Sequence, residues 1–221
     1  MMQKHKIVIF DLDDTLYKEI DFLKSAFREI ADYLRDQYGI IGLFPEMLQY
    51  YEEKKDVFQE LINLYRIPIE KQFLIDMYRN HFPQIQLDDD TTFVLDRLKS
   101  NPDIILGLIT DGRLISQMNT IKALGLDQYI KEKSIIISGV WQRQKPDEFL
   151  YSLIEKQYPN CCYMYVGDNI EKDFFAPNQK GWETVCLLDN GRNIHKQDFN
   201  IETTYLPKKR IANIRDLLGI I

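Results

Sequence analysis

The sequence predicts an α/β protein: a three-layer, Rossmann-like core around a parallel sheet, with a helical subdomain inserted after the first strand. Three observations carry that prediction. Short apolar runs recur along the chain, each ending in polar residues able to do chemistry. Amphipathic segments of helical period lie between the later runs. Residues 18–90 hold helical patterns and no clear strand. Apolar runs of this length fit strands covered on both faces, as in a parallel sheet. Strands that alternate with helices build βαβ units.

In chain order, the first run, 7–10, leads into Asp11. Phe22, Leu23, Ala26, Phe27, Ile30, Ala31 and Leu34 then recur at helical spacing and predict a helix over 21–39, stopped at Gly39. Met47, Leu48 and Tyr51, followed by Val57, Phe58, Leu61 and Ile62, predict one or two more. Pro68 opens another, with Phe73, Leu74, Met77 and Tyr78 on its apolar face. These aromatic stripes read as the core of a small bundle. Asp88, Asp89 and Asp90 mark the return to the sheet, as a solvated loop and helix start.

The second run, 104–109, leads into Thr110, Asp111 and Gly112. A stripe of Leu114, Ile115, Met118, Ile121 and Leu124 follows and stops at Gly125. The run 135–137 leads into Ser138 and Gly139, and a helix opens at Pro146 with Phe149, Leu150, Leu153 and Ile154 inward. The run 163–166 leads into Gly167 and Asp168, and 184–188 into Asp189. All these polar residues fall at the carboxyl ends of strands, where ligands bind in such sheets.

A chain of 221 residues suits one large domain or one domain with an insert. Its 28 Lys+Arg against 34 Asp+Glu leave a net charge of −6, which argues against a general nucleic-acid binder. The first apolar run is too short for a signal peptide, and no run approaches the roughly 18 residues of a membrane span. Cys161, Cys162 and Cys186 make no disulfide framework and no metal-type spacing. A reduced, cytoplasmic chain is expected.

Four strand ends bring together chemically capable residues: Asp11-Leu12-Asp13-Asp14-Thr15, then Thr110, then Lys145-Pro146, then Gly167-Asp168 with Asp173 five residues on. In content and order they resemble the four motifs of the haloacid dehalogenase-like superfamily. The resemblance covers nearly the whole chain. The helical insert directly after the first motif resembles the small-cap phosphatase subfamily. It implies a core of residues 1–17 and 88–221 and a cap of residues 18–87. Asp111, where the superfamily often carries Asn, and Asn169, where Ser or Thr is frequent, are mild departures.

The physics agrees with that resemblance. A phosphate monoester is a dianion that repels an attacking carboxylate, so the site needs positive charge. A magnesium ion on hard oxygen ligands supplies it. Asp11 and Asp168 would share the ion, and the resemblance adds the backbone carbonyl of Asp13. Asp173 would orient the metal or its waters. Asp11 would attack phosphorus, and Asp13 would serve as general acid and then base. Thr110, Lys145 and the Asp111 backbone N–H would bind the phosphoryl oxygens. The activity implied is a magnesium-dependent phosphomonoesterase acting on a small phosphorylated metabolite, a sugar phosphate or a nucleotide.

A phosphomutase or a haloacid dehalogenase of the same superfamily, and a non-enzymatic phospho-acceptor or binding protein, are the alternatives. Asp13 and the full acidic set favour phosphate over halide. Receiver domains are shorter and lack the inserted bundle. Cys186 and Arg192 have Cys-x5-Arg spacing, but a phosphate cradle needs free N–H groups without a nearby anion, and Leu187, Leu188 and Asp189 fail that test. Lys18, Lys24, Arg28 and Arg113 are candidate substrate contacts or solvated surface cations.

Overall fold

The computed structural model describes residues 5–221, so the first four residues of the expected core segment 1–17 lie outside the described residues. Six strands, β1 (Lys6–Phe10), β2 (Ile104–Thr110), β3 (Ile135–Ile137), β4 (Cys162–Gly167), β5 (Glu183–Leu187) and β6 (Lys209–Ile211), form one parallel sheet in the order β3-β2-β1-β4-β5-β6. The five apolar runs are β1 to β5. The edge strand β6 is not apparent in the sequence, because Lys209 and Arg210 are exposed and only Ile211 is buried. Charged residues on an edge strand also discourage pairing with another chain.

Eight helices accompany the sheet: α1 (Glu19–Tyr38), α2 (Leu43–Glu52), α3 (Val57–Tyr65), α4 (Lys71–Asn80), α5 (Asp89–Lys99), α6 (Leu114–Ala123), α7 (Glu148–Gln157) and α8 (Phe175–Gln179). The period-two alternation of β1 sorts its side chains between two cores. Val8 and Phe10 pack with Val94, Leu95 and Leu98 of α5 and Ile121 of α6. Ile7 and Ile9 pack with Leu150, Tyr151 and Ile154 of α7 and Ala176 of α8. The result is three layers, helix on sheet on helix.

Helices α1 to α4 form the inserted bundle. Leu23, Phe27, Ile30, Leu34, Leu43, Met47, Leu61 and Leu74 give it a core of its own. Gly39, at φ 69°, closes α1: its N–H donates to Arg35 O at 2.8 Å, a left-handed cap that glycine adopts without strain. Asp88 caps α5 by accepting from Thr91 N at 2.7 Å, and Asp90 accepts from Asn213 and Arg215. The acidic run therefore serves the helix start and its packing.

The second linker between bundle and sheet is tied to α1 by a buried polar relay. Ser25 Oγ accepts from Gln84 N at 2.7 Å and lies 2.7 Å from His81 Nε2, and His81 Nδ1 lies 2.6 Å from Glu29 Oε2. Phe22 and Tyr78, edge to face at 5.5 Å, join the bundle to the main core.

The stripe expected on α6 holds at Met118, Ile121 and Leu124, which pack on the core, but not in its first turn. Leu114 and Ile115 are half-exposed, while Gln117 and Thr120 are buried. The Gln117 side chain is needed inside, where it meets Asp13. No helix among the described residues is long and apolar enough to cross a membrane.

Candidate active site

Sheet register places the site. Phe10 pairs with Leu108 on one side and Val166 on the other. Asp11 continues the ladder, donating its N–H to Val166 O at 2.8 Å. β2 continues to Thr110 and β4 to Gly167, past the partners of Phe10, so Asp11, Asp111 and Asp168 leave the same end of the sheet at slightly different heights. The chain reverses direction across the sheet between β1 and β4, so a crevice opens there.

Lys145, in the loop before α7, reaches across this crevice. Its ammonium donates to Asp11 Oδ1 at 2.6 Å and to Asp173 Oδ1 at 2.7 Å, and all three groups are buried. Asp173 is fully engaged: Oδ1 meets Lys145 and the Tyr165 hydroxyl, and Oδ2 accepts the backbone N–H groups of Asp168 and Asn169. Gly167 permits this packing, since a Cβ there would collide with the Asp173 carboxylate. Asp173 thus fixes both Lys145 and the turn that carries Asp168.

Asp168 accepts from Thr15 Oγ1 at 3.2 Å and from Asn193 Nδ2 at 2.8 Å. Asn193 in turn accepts from Lys18 Nζ at 2.7 Å. Asn193 belongs to the loop after β5. Asp14, at φ 58°, holds that loop and the start of α1 together, accepting from Ile194 N at 2.8 Å and Glu19 N at 3.0 Å. Asp14 is a loop carboxylate with a structural task.

Asp13 has two donors of its own: Tyr17 OH at 2.5 Å and Gln117 Nε2 at 2.9 Å. Gln117 also donates to Asp111 O at 2.6 Å and lies where a side chain on Gly112 would stand. Asp111 Oδ1 accepts from Lys145 N at 3.0 Å, and Lys172 lies 3.4 Å from its Oδ2.

A cavity of about 260 Å³ opens over these groups, lined by Asp11, Asp13, Asp111, Gly112, Lys145, Asp168 and Lys172 among others. Thr110 is fully buried, its hydroxyl 3.4 Å from Asp111 O, and Asp111 and Gly112 form that part of the wall. Lys18 is occupied by Asn193 and Asp14. Lys24 and Arg28 line a separate surface cleft, and Arg113 is exposed on the wall of a second cavity adjoining the first. Cys186 is buried in β5 with its thiol pushed up to about 12 by burial, and Arg192 pairs with Asp21 at 2.7 Å, so the two form no cradle.

Electrostatics mark the cavity as short of positive charge. Burial holds the Asp11 carboxyl up at about 8, outweighing Lys145, and Asp173 and Asp13 add to the rise. Burial, then the charges of Asp173 and Asp11, raise Asp168 to about 9. Asp13 is raised by burial against the hydrogen bonds of Tyr17 and Gln117. Carboxylate oxygens of Asp11, Asp168 and Asp173 all lie within 4.8 Å of one another. This buried, all-oxygen donor set, free of His and Cys, fits a hard divalent cation.

A haloacid dehalogenase-like hydrolase profile matches residues 8–187, and the chain belongs to that family. Curated relatives include the glyceraldehyde 3-phosphate phosphatase of Methanocaldococcus jannaschii, 27% identical over 197 residues, covering 83% of this chain and 85% of that one. The enzyme of the same name from Methanopyrus kandleri is 25% identical, over 98% and 97% of the two chains. The protein is thus a haloacid dehalogenase-like hydrolase whose curated relatives are phosphatases.

Among solved structures, the fold is similar to the magnesium-bound HAD-hydrolase YfnB of Bacillus subtilis (TM-score 0.69, 18% identity, 99% of each chain). It is also similar to the 2-haloacid dehalogenase of Pseudomonas syringae (TM-score 0.65, 19% identity, 98% and 97%).

Tyr17, Gln117 and Asn193 escape a reading of the sequence, and Thr15, part of the first motif, was given no role there. Their signal would have been a buried polar residue on an otherwise apolar helix face, visible only at Gln117.

Proposed function

We propose that the protein is a magnesium-dependent phosphomonoesterase that works through an aspartyl-phosphate on Asp11 and acts on a small phosphorylated metabolite. The observation that carries this reading is the pairing of two carboxylates with different surroundings at the end of β1. Asp11 faces Lys145 and the Asp168–Asp173 cluster, while Asp13 faces Tyr17 and Gln117. Lys145 and a cation on the cluster would hold Asp11 ionised, while burial, acting against the donors Tyr17 and Gln117, lets Asp13 keep a proton.

Asp11 and Asp168, with the Asp13 carbonyl, would hold magnesium, and Asp173 would orient the set. When bound, the ion offsets the negative charge of the phosphoryl oxygens. Lys145 and the Asp111 N–H add fixed positive ends from the protein. An Asp11 oxygen attacks phosphorus as the ester P–O bond breaks, and Asp13 gives its proton to the departing oxygen. Water then attacks phosphorus and yields a proton to Asp13. The Asp11–phosphorus bond breaks, releasing inorganic phosphate and restoring both carboxyl groups. The presence of Asp13 favours this reading over dehalogenation, which needs no acid at that position.

Replacing Asp13 tests it. Asp13→Asn keeps the nucleophile but loses proton transfer, worth roughly 10²–10⁴-fold. An alkyl phosphate suffers in the first step because its alkoxide leaves badly. A nitrophenyl phosphate still loads Asp11, giving a burst of nitrophenol near one equivalent and then slow turnover. Equal losses on both substrates without a burst would assign Asp13 another role.

A further inference from the structure

The cavity over Asp11 continues into a second one of about 250 Å³, and the two share Asp13, Glu19, Asp111 and Gly112 as walls. The second lies between α6, which contributes Ser116 and Gln117, and the bundle, which contributes Phe22, Tyr78 and Arg79. With phosphorus at Asp11 and the ester oxygen at Asp13, the rest of the substrate has this space to occupy. Glu19 stands at the junction. It is the first residue of α1, half-buried, and its carboxylate accepts no hydrogen bond and pairs with no cation among the described residues. Its charged neighbours are Asp11, Asp13 and Asp14. Lys172, which acts on it from across the cavity, already lies beside Asp111. Burial and those three aspartates hold the Glu19 carboxyl up at about 8.

A carboxylate in such a place lacks a donor, and the protein supplies none. From this geometry we infer that Glu19 is a specificity-determining residue that accepts a hydrogen bond from a hydroxyl on the leaving group, next to the ester carbon. The substrate class is then the phosphate ester of a short polyol or hydroxy-aldehyde. A second anionic group on the carbon next to the ester would meet Glu19, although Arg79 and Arg113 line the outer wall of the same cavity. Polar recognition discriminates strongly: a site built to bond a hydroxyl leaves its own group unpaired when the hydroxyl is missing. This inference rests on the phosphatase reading.

The test compares glycerol 3-phosphate, propyl phosphate and 3-phosphoglycerate with magnesium present, on wild type, Glu19→Gln and Glu19→Ala. Wild-type kcat/KM for glycerol 3-phosphate should exceed that for propyl phosphate by about 100-fold. Glu19→Ala should bring the ratio to within about threefold, chiefly by loss on the glycerol ester. Glu19→Gln, which keeps an acceptor oxygen, should retain part of the preference and gain on 3-phosphoglycerate. A wild type that treats the glycerol and propyl esters alike overturns the inference and leaves the phosphatase reading standing. So does an equal loss on both esters in Glu19→Ala. No turnover of any ester or of nitrophenyl phosphate by wild type brings down both.

Discussion

At the carboxyl end of the sheet, Asp11, Asp168, Asp173 and Lys145 are buried together, each fixed by a charged or polar neighbour. Above it, the α1–α4 bundle buries Leu23, Phe27, Ile30 and Leu34 and keeps its ion pairs outside, as at Arg35–Asp32, Lys55–Glu53 and Lys71–Asp56. Burying charge is costly even when it is paired, and burying leucine is favourable. The sheet end therefore holds groups that chemistry requires at the expense of stability. The bundle is an apolar body whose ion pairs stay at its surface.

The sharpest way to break that contrast is to remove the nucleophile. Asp11→Asn should abolish turnover in a folded protein, since an amide neither attacks phosphorus nor holds a cation well. Circular dichroism should match wild type, and activity within about tenfold of wild type would remove Asp11 from its role. On the other side, Leu34→Ala empties a fully buried position in the bundle. It should cost about 2–5 kcal/mol in urea unfolding and leave kcat of the folded enzyme nearly unchanged. A large fall in kcat would show that the bundle core does more than support itself.

Asn193→Ala sharpens the description of the sheet end. It removes a donor from Asp168 while sparing every acidic residue. Magnesium affinity by titration calorimetry should weaken about 10–100-fold, the usual effect of losing a group that orients a ligand. Unchanged affinity would assign Asn193 to loop folding alone.

The smallest effect concerns pH in chelator. Asp11 and Glu19 are held up at about 8 and Asp168 at about 9 in the folded, metal-free protein, against ordinary carboxyl values when unfolded. The folded state then binds more protons between roughly pH 4 and 9, so stability falls as pH rises through that window. Tm with chelator should drop from pH 5 to pH 8.5, and magnesium should recover more of it at the higher pH. A flat or rising chelated Tm would mean the carboxylates are better compensated than their neighbours indicate.

The sheet was legible because a strand buried on both faces must be apolar throughout, and β1 to β5 are. β6 was not, because an exposed edge of Lys209 and Arg210 has no such requirement. Asp11, Asp13, Lys145, Asp168 and Asp173 were legible because each follows or precedes a strand at a telling distance, and the structure does bring them to one crevice. Thr110 was read as a hydroxyl donor to the phosphoryl oxygens, and the structure buries it behind the cavity lining with its hydroxyl 3.4 Å from Asp111 O. Asn193 acts through Asp168 and Lys18, far from it in sequence, which no local pattern records. The α6 stripe misled only at Leu114 and Ile115, because Gln117 had to turn inward there, while Ile121 and Leu124 are buried as expected.

The place of the bundle in the chain also sets an order of assembly. Lys6 of the central strand pairs with Ile104 on one side and Cys162 on the other, whereas α1 to α4 pack chiefly on one another within one continuous segment. Contacts between neighbours close cheaply, and distant pairings wait for the loop between them. During synthesis the complete bundle emerges before β4 exists, so it can fold while Asp11 still has no partner strand on that side. A ribosome-bound chain arrested ahead of Gly167 would carry a finished bundle beside a sheet end that has not yet been made.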